Sequence, residues 1–180
     1  TYSCKDKTVP IVVTPEDFHS AIDKVVDVMI HDIFSPPVAS RIFAYPNIAA
    51  YEIVSQSNPK YKSLAGQLNG LTPIPKMDTV SGINPNLSAL IAHMTLSKQL
   101  IFSNDKFEVL EDSLYQNWQT TNADQFEVSK TYGISIAAHI KEWMNKDNYN
   151  QSRTMPKFTV DTDDTARWQP TPPAYIEAIE

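Results

Sequence analysis

Thr14-Pro15, Ser35-Pro36-Pro37 and Asn84-Pro85 each set a hydroxyl or amide side chain before a proline, at the head of a stretch whose apolar residues recur at helical spacing. That arrangement leaves the chain little alternative to helix. The small side chain accepts from an unpaired first-turn N–H, and a first-turn proline has no N–H to leave unpaired and a φ that is already helical. Behind Thr14, the residues Phe18, Ile22, Val25, Val26, Met29, Ile30 and Ile33 fall on one stripe of 3.6-residue period. Glu16 and Asp17 lie near the positive end of that helix, where carboxylates are favoured. Ser35-Pro36-Pro37 ends it, because a residue before proline is pushed out of the α region.

The same Ser35 opens a second helix, predicted over 37–56, with Ile42, Phe43, Ala49, Ile53 and Tyr45 or Tyr51 turned inward. Pro46 predicts a kink or a break there, since its nitrogen gives nothing to the Ile42 carbonyl. Residues 60–69 read as a short helix closed by Gly70 in a left-handed cap, and 71–83 as a proline-punctuated loop. Asn84 caps a third long helix with Leu87, Leu90, Ile91, Met94 and Ile101 on one side. Ser103 or Asn104 opens the next, through Phe107, Leu110, Leu114 and Trp118; another spans 124–145 through Phe126, Ile136, Ala137, Ile140, Trp143 and Met144. The predicted fold class is all-α, a bundle of five to six amphipathic helices with a long irregular C-terminal excursion. Residues 1–13 read as a disordered or tether segment, 14–145 as the helical domain, and 146–180 as an extended segment leading into a truncated helix at PTPPAYIEAIE.

A chain of 180 residues suffices for one buried core. Its net charge is −6 and it has no run of Lys and Arg, which excludes nucleic acid as a partner. No window approaches the roughly 18 apolar residues of a spanning helix, so membrane contact is expected only through a lipid anchor. The candidate attachment point is the single cysteine, Cys4. Ser3-Cys4 and the polar run after it resemble the boundary at which a bacterial lipoprotein signal is removed; the other reading is an ordinary free cysteine near a disordered terminus.

Groups able to do chemistry are sparse. His31-Asp32 is the dipeptide that helical phosphohydrolases use to hold metal, but such a site needs further ligands, and neither His93 nor His139 has an Asp at ligand spacing. There is no G-x-S-x-G, and Gly66, Gly70, Gly82 and Gly133 are too scattered to cradle a phosphate. The acidic patch Asp161, Asp163 and Asp164 lacks the central glycine and final glutamate of a calcium loop. Arg41 stands among apolar neighbours and must be paired if it faces inward; Asp32 or Glu52 is the expected partner, in an architectural role. No catalytic, cofactor-binding or metal-binding residue is expected in this chain.

DVMIHDIFSPPVASRIFAYPNIAAYE, KYKSLAGQLNGL and WQPTPPAYIEAIE resemble the N-terminal half of bacterial PAP2-type phosphatases, of the superfamily that also contains vanadium-dependent haloperoxidases. S-P-P-V-A-S-R is the most specific element. The resemblance implies a chemistry built on Lys-x6-Arg-Pro, Pro-Ser-Gly-His and Ser-Arg-x5-His-x3-Asp, in which a lysine and two arginines neutralise an oxyanion and histidines act as nucleophile or vanadium ligand and as acid or base. None of these is complete here. There is no Arg-Pro; Val80-Ser81-Gly82-Ile83 lacks the proline and the histidine; Ser40-Arg41 begins the third motif, but Asn47 stands where histidine is required.

The resemblance therefore implies that the catalytic residues lie beyond Glu180, in a C-terminal catalytic half of the same protein that is this chain's main partner. A homodimer contact is left open. The parent would hydrolyse phosphate esters or, second, oxidise halides with vanadate, in a periplasmic, outer-membrane or extracellular location. The rival reading is a non-enzymatic helical binding module of a bacterial surface lipoprotein. A coding frame that continues past Glu180 with Arg-Pro and Ser-Gly-His favours the enzyme, and a stop codon there the module.

Overall fold

The computed structural model describes residues 9–79, 81–152, 154–156 and 158–175. Cys4 and most of the expected tether lie outside the described residues, as do Val80 and residues 176–180 of the expected final helix. The fold is all-α: α1 (Pro15–His31), α2 (Pro36–Ser57), α3 (Pro85–Lys98), α4 (Asn104–Thr121), α5 (Ala123–Met144) and a single turn, α6 (Tyr149–Ser152). Among the described residues the only β-type pairing is an isolated bridge between Ala65 and Leu68.

Capping chemistry sets the helix starts. The Asp17 N–H donates to Thr14 Oγ1 at 3.2 Å while Asp17 Oδ2 accepts from the Thr14 N–H at 2.8 Å, a reciprocal capping box. Asn84 Oδ1 accepts from the Leu87 N–H at 3.2 Å. Asn122 serves two helices: its N–H closes α4 on the Trp118 carbonyl, and its side chain accepts from the Gln125 N–H to open α5.

The centre of the bundle is α3. Sequence spacing gives it one apolar side, but Ser88, Ala89, Ala92, His93, Leu96 and Ser97 are buried along with Leu87, Leu90, Ile91 and Met94. It is covered from all sides, with α2 and α5 packed along it and α1 and α4 beyond. The small side chains of Ala89 and Ala92 let the neighbours come close. The tightest approach is at Gly133 of α5: a Cβ there would stand 2.6 Å from the Ser88 carbonyl oxygen and 3.2 Å from Ile91. Ser88 Oγ also donates to the Ser129 carbonyl at 3.0 Å, tying the two backbones together.

Several expectations are corrected. Pro46 does not break α2, which runs through it with Pro46 buried; apolar packing on α3 outweighs the one lost helical hydrogen bond. Phe43 turns outward rather than in. Residues 60–69 form turns, not a helix, because Glu52 of α2 accepts the Leu64 N–H and the Ser63 hydroxyl and holds the segment in loop form. Gly70 does adopt φ +73°, but it follows a turn. Residues 9–13 are not a free tether. Ile11 is buried, its N–H donates to Gln125 Oε1 at 2.8 Å, and its carbonyl accepts from Asn84 Nδ2 at 2.7 Å. Ile101 belongs to the link after α3, not to the helix. Residues 171–175 form a turn where a helix start was expected.

The stripe of α1 also ends early. Val25, Val28 and Met29 are buried, but Ile30 and Ile33 are not. α1 closes with Ile33 N–H on the Ile30 carbonyl at 3.3 Å and Phe34 N–H on the Met29 carbonyl at 3.2 Å. That places Ile33 at φ +56°, a left-handed position that glycine fills without strain and a β-branched residue does not.

Two substitutions should therefore move stability in opposite directions. Gly133→Ala is expected to destabilise by about 1–3 kcal/mol, because α3 and α5 must separate. Ile33→Gly is expected to stabilise by up to about 1 kcal/mol, the relieved left-handed strain less the entropy glycine adds to the unfolded chain. Urea denaturation of the two variants beside the parent checks both.

Candidate functional site

Arg41 sits on α2 and reaches across to the link between α5 and α6. Its Nε donates to Asp147 Oδ2 at 2.8 Å, and its guanidinium carbon lies 3.8 Å from the centre of the Tyr149 ring and 5.4 Å from that of Tyr45. The Tyr45 hydroxyl donates to the same Asp147 oxygen at 2.8 Å. Asp147 Oδ1 accepts the Tyr149 N–H, which fixes the start of α6. Burial works against the Asp147 charge, but the Arg41, Tyr149 and Tyr45 hydrogen bonds outweigh it and hold the carboxyl below its usual range. Burial and then the adjacent Asp147 push the Tyr45 phenol up to about 12. The expected partners, Asp32 and Glu52, are thus replaced by a carboxylate from the C-terminal segment. Sequence reading missed Asp147 because it was placed in an aperiodic stretch; the usable signal was the unmatched charge of Arg41.

Asp32 joins α1 to α4. Its Oδ2 accepts the Phe102 N–H at 2.9 Å and the Ser103 N–H at 3.1 Å, while Oδ1 accepts from Ser103 Oγ at 2.5 Å and lies 3.2 Å from His31 Nδ1. The side chain is only 3% exposed. Burial alone would raise its pKa, but the bonds from Ser103 and Phe102 prevail and hold the carboxyl well below the usual carboxylate range. It also places a negative charge at the N-terminus of α4. The His31-Asp32 pair is therefore a helix cap, not half of a metal site.

Glu52 is 1% exposed on α2 and accepts from Ser63 Oγ and the Leu64 N–H, each at 2.6 Å. It forms part of the wall of a cavity of about 520 Å³, together with Gln56, Ile74 and Asp78. His93 and His139 are held apart on different helices, α3 and α5. His93 is buried on α3, its ring 5.0 Å from that of Phe18, its Nδ1 without a hydrogen-bond partner among the described residues, and burial lowers its pKa to about 4. His139 Nε2 lies 3.1 Å from both Oγ1 and the carbonyl of Thr72. Ser40 Oγ donates to the Pro37 carbonyl, a local helix contact. Asp161 and Asp164 fold their own loop by accepting the Asp163 and Ala166 N–H groups.

Most of these polar groups are committed within the fold, His93 Nδ1 being the exception. A tetrahedral oxyanion needs several cationic and imidazole donors converging on one point. Here Arg41 is committed to Asp147, Arg167 to Asp164, and Lys98 to Glu111 at 2.5 Å. Among the described residues no group of three or more His, Cys, Asp or Glu is placed to hold a metal ion. The described residues do not fit vanadate. No helix among them is long and apolar enough to cross a membrane.

The carboxyls of Asp32 and Asp147 are both held below the ordinary aspartate range of about 4. Their stabilisation is present in full above that value and is lost as pH falls through it toward the folded values. Asp32→Asn is expected to lower stability by about 1–3 kcal/mol at neutral pH and to flatten the loss of stability below about pH 4. Arg41→Met should remove about 1–3 kcal/mol, and Arg41→Lys should restore only part of it, because an ammonium can meet Asp147 but does not supply the planar stacking on Tyr149. Chemical denaturation across the acid range measures both.

No protein-family model matches the chain, and no curated protein matches it. Among solved structures, a bacterial vanadium-dependent iodoperoxidase aligns with a TM-score of 0.83 and 64% sequence identity, covering 96% of this chain and 42% of that one. The chain thus spans less than half the length of that relative. With that identity sustained along nearly all of this chain, it is similar to part of a vanadium haloperoxidase-like protein.

Proposed function

We propose that this chain is the helical scaffold of a vanadium haloperoxidase-like enzyme, and that the residues holding vanadate lie on polypeptide outside it, in a C-terminal catalytic half. The carrying observation is the pairing of 64% identity to an iodoperoxidase with coverage of only 42% of that protein. The geometry agrees, since Asp32, Arg41, Glu52 and Asp147 are spent on joining elements. The reaction favoured is vanadate-dependent oxidation of halide. Phosphate-ester hydrolysis, which also needs an oxyanion pocket, is the second reading and rests on the S-P-P-V-A-S-R segment.

The isolated chain is expected to bind no vanadate and to oxidise no iodide with hydrogen peroxide, while the polypeptide extended to the length of the iodoperoxidase does both. Vanadium-51 NMR and an iodide-oxidation assay read the two properties. Vanadate bound by the isolated chain would overturn the scaffold role, and phosphomonoester turnover without iodide oxidation by the extended protein would select the hydrolase. A periplasmic, outer-membrane or extracellular location with lipid on Cys4 belongs to the same proposal. Mass spectrometry of membrane-derived protein should show an acylated Cys4, and an unmodified thiol removes the anchor.

A further inference from the structure

The corner where α1 meets the start of α4 presents apolar side chains that no other part of the described chain covers. Ile30 is 72% exposed, Ile33 88% and Phe102 73%. They form one surface. Asp32 binds the Phe102 N–H, and the Phe34 ring, next to Ile33, lies 4.7 Å from the Phe102 ring. Phe34 and Phe102 also line a cavity of about 370 Å³, with Val38, Ile42, Leu100 and Met144 among its apolar walls and Arg41 and Lys141 among its polar ones. Ile33 makes the corner unusual. A side chain that glycine would replace without strain stands at φ +56° and meets solvent. Its side chain gains no burial against the described residues, the pattern of an apolar group left for a contact with another segment.

We propose that this corner and its cavity dock an amphipathic segment of the haloperoxidase-like polypeptide that lies outside this chain, an apolar side chain entering the cavity and a carboxylate facing Lys141. The inference rests on the proposed scaffold role. Two observations choose the occupant. More than half of the iodoperoxidase lies outside the match, so such a polypeptide has ample chain to supply the segment. The polar wall is also net cationic: Asp147 opposes Arg41, and Lys141 has no ion pair among the described residues. A second copy of this chain docked face to face would bring two such walls together, and like charges oppose that contact.

The test compares the isolated chain with the extended polypeptide, each with Cys4→Ser and with either Ile33→Cys or Phe102→Cys, by the rate of maleimide alkylation. Both cysteines should react freely in the isolated chain and at least tenfold more slowly in the extended protein, and Lys141→Glu should raise the slow rate severalfold. Equal rates in the two lengths overturn the docking. Protection that appears in the isolated chain with rising concentration, together with a doubled mass in light scattering, overturns it in favour of a second copy. Vanadate binding is followed in parallel. An extended protein that binds vanadate but leaves both cysteines reactive refutes only the docking; one that protects them and binds no vanadate refutes only the enzyme role. A coding frame that closes shortly after Glu180 refutes both.

Discussion

Burial of α3 on every side is the constraint on which the rest of the molecule depends. A helix that meets no solvent along most of its length must be flanked by elements that come close, and side-chain size decides how close. At Gly133 the α5 backbone approaches the Ser88 carbonyl more closely than any Cβ would permit, and Ala89 and Ala92 act in the same sense elsewhere on α3. Once α2 and α5 are set by this contact, α1 and α4 close the remaining side through Val25, Met29, Phe107 and Trp118.

The buried or half-buried carboxylates then fix the connections that apolar packing leaves loose. Asp32 holds the start of α4, Glu52 holds residues 63–64, and Asp147 holds Arg41, Tyr45 and the first turn of α6. Each accepts several donors, which offsets the loss of hydration. A carboxylate or guanidinium engaged in this way has little left to offer a substrate. The residues that look chemical in the sequence are therefore the joints of a frame.

Local chemistry was readable in advance, and long-range geometry was not. Thr14 and Asn84 announce helix starts because a cap acts within three residues of itself. Pro46 misleads because its local disfavour is outweighed by packing on a helix some 40 residues later, which no window around it contains. The loop at 60–69 has helical composition, but its shape is set by Glu52. Arg41 could be read as needing a partner, whereas which carboxylate met it depended on where α5 ends. The family was legible through S-P-P-V-A-S-R even though no catalytic residue could be carried to a position in this chain.

The Arg41–Asp147 bond joins positions 106 residues apart. On a ribosome the arginine emerges long before its counter-ion, and a nascent α2 must carry an unmatched guanidinium until α5 has been made. The clamp fastens the tail of the described chain to one of its earliest helices. Once α2 and α5 are packed on α3 the two ends of that span already lie together, so closing the latch costs little further chain entropy.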